Sequence, residues 1–340
     1  MLIKCVVWDL DETLWRGTLV DGDEPVLTPG AGEVVRELDR RGILQSIASR
    51  NDHEPAWARV VAFGLDEFFL HPQICWADKS RSVRAVADRL GIGLDAVAFV
   101  DDQAVERDEV RHALPMVTTI DAADLGGLLG LPGMRPRFVT AESRIRRTMY
   151  VTDEVRKRDE SEFPGTREEF LATLGMHVTI RPAGEPDLRR AEELTVRTHQ
   201  LNTTGRPYSY EQLCALTRSP DHLLLVAGLT DRYGTSGTVG LALVDRGPHA
   251  WLIRLFITSC RVVSRGVGGI MMTHILESAQ RRGVSLRAEF VPNDRNRLMY
   301  LTYKFHGFRE IGTDGGTVLL EHDLVHIRPR PRGVTVHTPG

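Results

Sequence analysis

The chain has 340 residues, with 43 Lys and Arg against 46 Asp and Glu and a net charge of −3. That balance favours neither nucleic acid nor an anionic membrane as a partner, and the length suits two domains, each able to bury a core. The N-terminus lacks the basic, apolar and small-residue regions of a signal peptide, so the protein reads as cytoplasmic, and four scattered cysteines without a CxxC pair read as reduced thiols.

Up to residue 125, strands expected at 3–8, 43–48, 68–74, 96–100 and 116–119 alternate with helices at 32–41, 54–63, 79–90 and 105–113. This is the rhythm of an α/β doubly wound parallel sheet. Helix 79–90 is the clearest, because Val83, Val86, Ala87 and Leu90 share one face. Ligands of such sheets gather at the carboxyl ends of the strands. Residues 126–140, rich in Gly and Pro, read as a linker and 142–162 as an exposed connecting helix, so 126–175 separates two domains. From 176 to 325 the pattern is α+β. It comprises a strand at 178–181, helices at 187–199 and 210–217, and a meander at 223–227, 238–244 and 250–257. A glycine-rich turn and helix follow at 266–282, then strand 286–291, helix 297–306 and a hairpin over 310–321. The Pro- and Arg-rich tail 326–340 reads as disordered.

The run Val6-Val7-Trp8-Asp9-Leu10-Asp11-Glu12-Thr13 ends an apolar strand on two carboxylates one residue apart, which side-chain alternation sends the same way. One can attack phosphorus while the other handles a proton, and the pair suits a hard cation such as Mg²⁺. Taken alone, it is as readily a polar turn. Ser49 ends the second strand with Arg50 beside it, both able to donate to phosphate oxygens. Lys79 opens the helix after the third strand, where a fixed ammonium offsets negative charge. Asp101 and Asp102 end the fourth and can complete a magnesium site.

These segments, Asp9–Thr13, Ser49, Lys79 and Asp101-Asp102, resemble the haloacid dehalogenase superfamily of phosphotransferases. The resemblance implies Asp9 as nucleophile and Asp11 as general acid and base. It implies Mg²⁺ held by Asp9, the Asp11 carbonyl, Asp102 and Asp101, and the phosphoryl group held by Ser49 and Lys79. Superfamily members acting on small metabolites often carry a cap domain. Here about 35 residues separate Thr13 from Ser49 and about 30 separate Ser49 from Lys79, leaving no room for a large cap. The site is expected to be open.

In the second half, residues 258–269 (TSCRVVSRGVGG) run from a strand into a glycine-rich turn that opens a helix, and such a turn offers backbone amides to an anion. It resembles the pyrophosphate loop of the GNAT acyltransferase fold, which implies that Arg261, Arg265, Gly266 and Gly268 grip a phosphopantetheine arm. Ser264 stands where the first glycine is usual. Cys260, at the strand end with Arg261 and Arg265 nearby to make it reactive, is either an acyl-carrying thiol or a buried core residue. Cys75 is a second candidate through its nearness to Lys79, while Cys5 and Cys214 read as packing. His199, ending the first helix of this domain, is a candidate base to a thiol, or a surface residue.

An uncapped phosphatase-like domain followed by a GNAT-like domain resembles the FkbH-like glyceryl transferase/phosphatase family. The segments behind this are 4–19, 46–57, 98–110, 197–205 (RTHQLNTTG) and 258–268. The resemblance implies an enzyme that takes the glyceryl unit of 1,3-bisphosphoglycerate, removes phosphate, and loads the unit onto the phosphopantetheine thiol of an acyl carrier protein in polyketide biosynthesis. Glu12 stands where asparagine is usual. Two other classes stay open, a stand-alone Mg²⁺-dependent phosphatase with an inert second domain and a GNAT-type N-acyltransferase. The intact acidic, Ser and Lys set argues against a non-catalytic docking module.

Overall fold

Four consecutive apolar residues, all fully buried, make β1 (Cys5–Trp8) the central strand of a parallel sheet in the computed structural model. The structure describes residues 2–198, 200–331 and 333–339 and divides into two units, Met1–Val151 and Thr152–Gly340.

In the first unit β1 is followed by β2 (Trp15–Arg16), β3 (Val26–Leu27), α1 (Ala31–Arg40), β4 (Leu44–Ser49) and α2 (His53–Ala62). Then come β5 (Gln73–Ile74), α3 (Lys79–Leu90), β6 (Val97–Asp101), α4 (Ala104–Ala113) and β7 (Thr118–Asp121). The sheet order is β5-β4-β1-β6-β7, with every pair parallel. Helices cover both faces, so the central strands β1 and β6 are buried, mostly apolar runs without alternation. Val6, Trp8, Leu38 and Ile47 pack on one side and Val7, Val83, Val86 and Phe99 on the other.

Two expectations are corrected here. The strand expected over 68–74 shrinks to Gln73–Ile74, because a 3₁₀ turn takes Asp66–Phe68 and His71 adopts φ 51° ahead of Pro72. Residues 15–27, between the first expected strand and helix, hold the small antiparallel ribbon β2–β3. The linker 126–140 belongs to the first core. There α5 (Leu125–Leu128) buries Leu128, Met134 is also buried, and the Arg41 guanidinium donates at 2.8 Å to the carbonyls of Leu129 and Met134. Next, α6 (Ala141–Arg144) packs so closely that a Cβ on Gly42 would lie 2.7 Å from the Ser143 carbonyl oxygen. The division between the units falls inside α7 (Arg146–Glu162).

The second unit continues with α8 (Arg167–Thr173), β8 (Met176–Pro182), α9 (Leu188–Arg197), α10 (Tyr210–Arg218), β9 (His222–Asp231), β10 (Gly234–Arg246) and β11 (Ala250–Thr258). It ends with α11 (Val267–Arg282), β12 (Ser285–Phe290), α12 (Arg297–Phe305), β13 (Arg309–Asp314), β14 (Thr317–His322) and β15 (Val334–His337). The order β13-β14-β12-β11-β10-β9-β8-β15 contains the expected antiparallel meander, joined to β12 by a parallel pairing. The tail is corrected as well. Val334–His337 pairs in parallel with Met176–Thr179 and half-buries Val334 and Val336, which covers an otherwise open sheet edge. Among the described residues no helix is long and apolar enough to cross a membrane.

Candidate active site

The parallel sheet delivers every expected residue of its first unit to the carboxyl ends of its strands. The Asp9 amide donates to the Val100 carbonyl (2.9 Å), the last ladder bond before the chain leaves β1. The carboxylate that follows is only 4% exposed. Leu10–Leu14 then make one wide turn in which Glu12 takes φ 52°. A left-handed position favours Asn or Gly, and Glu12 compensates by accepting from the Gly17 amide at 2.6 Å.

Lys79 is the centre of the constellation. Its ammonium, 2% exposed, lies 2.5 Å from Asp9 Oδ1, 2.9 Å from Asp101 Oδ2 and 2.8 Å from Glu106 Oε2. A cation at a helix N-terminus opposes the helix dipole, so its place at the start of α3 serves the carboxylates rather than the helix. Ser49 is buried at the end of β4 and its hydroxyl bonds to Asp9. Arg50, more exposed, bonds to Glu106 Oε1 (3.1 Å) and Asp78 (3.2 Å). Lys79 and Arg50 thus share one glutamate.

Charge in this site does not balance. Three carboxylates meet the Lys79 ammonium and, at Glu106 alone, the exposed Arg50 guanidinium, and burial pushes the Asp9 carboxyl up in spite of Lys79 and Ser49. Burial, then the Asp9 charge, pushes Asp101 up to about 7. Burial alone would depress Lys79, but the charges of Asp9, Asp101 and Glu106 overcome it and raise that group. A surplus of hard carboxylate oxygen suits Mg²⁺. Oxygens of Asp9, Asp101 and Glu106 lie within 4.8 Å of one another, yet the Lys79 ammonium holds the middle of that triangle. The donor chemistry therefore fits a cation beside Asp9 and Asp101.

The other two expected metal ligands are placed differently. Asp11 carries its carboxylate away from Lys79, with Oδ1 accepting from Trp15 Nε1 (2.7 Å) and Oδ2 from Asn51 Nδ2 (2.9 Å). Asp102 turns to Thr13, whose hydroxyl accepts from the Asp102 amide at 3.1 Å and lies 3.4 Å from Asp102 Oδ1. The Asp11 carboxylate is thus held apart from the carbonyl expected to bind the cation, while the Asp102 side chain, expected as a ligand, is held by Thr13. Glu106, Asn51 and Trp15 were missed. In sequence Glu106 is one acid in the first turn of a charged helix and is indistinguishable from a solvated face. Only its burial separates it.

In the second unit Cys260 is exposed, immediately past β11 at the start of a 3₁₀ turn over Cys260–Arg265. Gly266 takes φ 70° and α11 begins after it. Gly268 is needed for packing, since a Cβ there would meet Thr258 Cγ2 at 3.0 Å. Arg265 is corrected. Its guanidinium is 3% exposed and turned inward, 2.8 Å from Asp231 and 3.1 Å from Ser236 Oγ, so it does not face a ligand at the turn. Arg261 stays half-buried beside Cys260, its carbonyl accepting from Arg265 at 3.1 Å. His199 lies outside the described residues. Cys5 is fully buried, which pushes its thiol far up, and it packs the core as expected. Cys75 is exposed, and its amide donates to the Ser49 carbonyl at 3.0 Å. Cys214 packs half-buried against the core under α10.

No family model matches the chain and no curated protein matches it. Among solved structures, the N-terminal part of the protein BF1531 from Bacteroides fragilis, which contains a phosphatase domain and was crystallised with Mg, is 26% identical with a TM-score of 0.31. That match covers 38% of this chain and 39% of that one, so the chain spans well under half of its length. The ribosomal-protein-S18-alanine N-acetyltransferase of Escherichia coli is 18% identical over 43% of this chain and 92% of its own, with a TM-score of 0.34. The GNAT domain of S. lividans PAT is 21% identical over 42% of this chain and 88% of its own, also at 0.34. These are likenesses of parts, and the chemistry rests on the residues above.

Proposed function

We propose that the protein is a cytoplasmic two-site enzyme, with a Mg²⁺-dependent phosphatase site of the haloacid dehalogenase type in the first unit and a GNAT-like acyl-transfer site in the second. It takes 1,3-bisphosphoglycerate, dephosphorylates it and loads the glyceryl unit onto the phosphopantetheine thiol of an acyl carrier protein. The observation that supports the phosphatase half is the buried Lys79 ammonium 2.5 Å from Asp9, with Ser49 on the same carboxylate. Pre-aimed groups of this kind serve charge that develops in a transition state.

Asp9 attacks phosphorus with the oxygen that Lys79 leaves free, and the bond to the leaving oxygen breaks as the aspartyl phosphate forms. Asp11 gives that leaving oxygen a proton and afterwards takes one from the water that releases phosphate. Trp15 and Asn51 hold the Asp11 carboxylate in place for both tasks. Mg²⁺, when held by Asp9 and Asp101, offsets charge on the transferring group. In the second unit the exposed Cys260 sulfur displaces the acyl phosphate. The S–C bond forms, the C–O bond to phosphate breaks and the thiol proton passes to solvent. The carrier thiol then collects the acyl group by thioester exchange.

The test is to incubate the protein with 1,3-bisphosphoglycerate, Mg²⁺ and a holo carrier protein, and to weigh both proteins. Glyceryl mass on the carrier, lost in Cys260→Ala, is the expected result. Mass gain that survives Cys260→Ala moves the thiol role to the exposed Cys75. Phosphate release with no mass gain on either protein favours a second reading, a phosphatase with a non-catalytic second unit, which the inward turn of Arg265 supports.

A further inference from the structure

Strands β11 and β12 run parallel but pair at only four positions, Ala250–Ile253 with Ser285–Ala288. Beyond Ile253, β11 continues to Thr258 without β12 beside it, and the backbone groups on that edge need other partners. The chain supplies them from residues 201–204. The Thr203 amide donates to the Phe256 carbonyl (3.1 Å), and the Phe256 amide donates to Thr203 Oγ1 (3.0 Å). The Thr258 amide donates to the Leu201 carbonyl (3.1 Å), and the Val291 amide, just past β12, donates to the Thr203 carbonyl (3.0 Å). Asn202 forms an antiparallel bridge with Ile257. Asn296 clamps the arrangement through Nδ2, which donates to the carbonyls of Asn202 (3.2 Å) and Val291 (2.8 Å). Asn202, Thr203 and Asn296 are completely buried.

We propose that this segment permanently fills the seam between β11 and β12, so that the second unit does not take the extended, amide-bearing arm of coenzyme A there, although the resemblance of its glycine-rich turn implies a grip on a phosphopantetheine arm. An arm laid along this edge of β11 needs the backbone groups of Phe256 and Thr258, and both are committed. Expelling the segment strands the Val291 amide and the Asn296 side chain in a dry interior, where an unmade hydrogen bond is costly. The sequence is built to stay. Asn202 Oδ1 accepts from the amides of Thr204 (3.1 Å) and Gly205 (2.9 Å), and Gly205 at φ 66° turns the chain out of the seam. Arg265, turned inward to Asp231, is withdrawn from the glycine-rich turn, which keeps Arg261. Cys260 stays exposed, so a thiol meets it end-on from solvent. The inference stands apart from the glyceryl reading, because it concerns only what the seam admits.

The test titrates coenzyme A and acetyl coenzyme A into the full chain by calorimetry, and follows amide exchange by NMR with and without millimolar coenzyme A. The expected results are no saturable heat and amides of Thr203, Phe256, Thr258 and Val291 that exchange at least about 100-fold slower than loop amides, unchanged by the ligand. Asn296→Ala then speeds exchange at Thr203 and Val291 about tenfold, the equivalent of one hydrogen bond. Thr203→Val, which keeps the shape and removes only the hydroxyl, speeds Phe256 alone. Saturable binding that frees residues 201–204 overturns the proposal. So does loop-like exchange of Thr203 and Phe256 in the free protein.

Discussion

Glu106 Oε2 lies 2.8 Å from the Lys79 ammonium, and its other oxygen lies 3.1 Å from Arg50. One buried carboxylate therefore orients both cations of the phosphate site without reaching the nucleophile itself. Glu106→Gln keeps the shape and removes the charge, so Lys79 remains on Asp9 and Asp101 but is less firmly aimed. Turnover of a phosphate ester with Mg²⁺ should fall about 10–100-fold, the usual cost of losing an orienting partner, with the melting temperature little changed. Steady-state kinetics with a melting curve decides it, and unaltered kcat removes Glu106 from the site.

Asp9→Asn should abolish phosphate release while leaving the fold intact. It also removes one of the carboxylates that crowd Lys79; burial holds Asp9 and Asp101 above their ordinary range, and at Asp101 the Asp9 charge adds to it. In Mg²⁺-free buffer the variant should therefore melt no lower than the parent, and added Mg²⁺ should stabilise it less. A variant that melts lower without Mg²⁺ contradicts the charge surplus.

A pH response is expected from the second unit. His322 is buried against Phe308 and accepts from the Leu324 amide through Nδ1 at 2.8 Å. Burial lowers its affinity for a proton, as it does for His306. The His306 backbone and Asp323 favour the charged ring, while the charges of His306 and Arg309 oppose it. A histidine whose folded value is depressed is neutral in the fold and charged when unfolded. Its stabilising contribution is complete above about 6.5 and is lost as pH falls below that value towards the folded one. Between pH 7.5 and 5.5 the melting temperature should drop by about 2–4 °C for each kcal/mol involved. His322→Gln should flatten that slope, and a slope unaffected by the substitution assigns the effect to other groups.

Gly42→Ala tests the join between α6 and the first core. Gly42 adopts φ 70°, and an added Cβ meets the Ser143 backbone at 2.7–2.9 Å. Strain and clash act together, so a loss of about 2–3 kcal/mol is expected in urea unfolding. The control Gly91→Ala, also at positive φ but with nothing nearby, should lose only about 1 kcal/mol.

What the sequence determined by itself was whatever is local or periodic. Apolar runs placed β1, β4 and β6, and helical spacing placed α3. Because a parallel sheet presents its strand ends along one edge, Asp9, Ser49, Lys79 and Asp101 were legible as one group before any coordinate. Tertiary structure decided everything that depends on which distant groups meet in a dry place. Burial alone promoted Glu106 from a helix-surface acid to a partner of Lys79, and it joined Asp11 to Trp15 and Asn51. Ion pairing with Asp231 turned Arg265 inward, away from the role its neighbouring glycines suggested. An unsatisfied strand edge drew Leu201–Thr204 into the seam and Val334–His337 onto β8. Hydrogen-bond demand of that kind acts between segments far apart in the chain, and no local pattern records it.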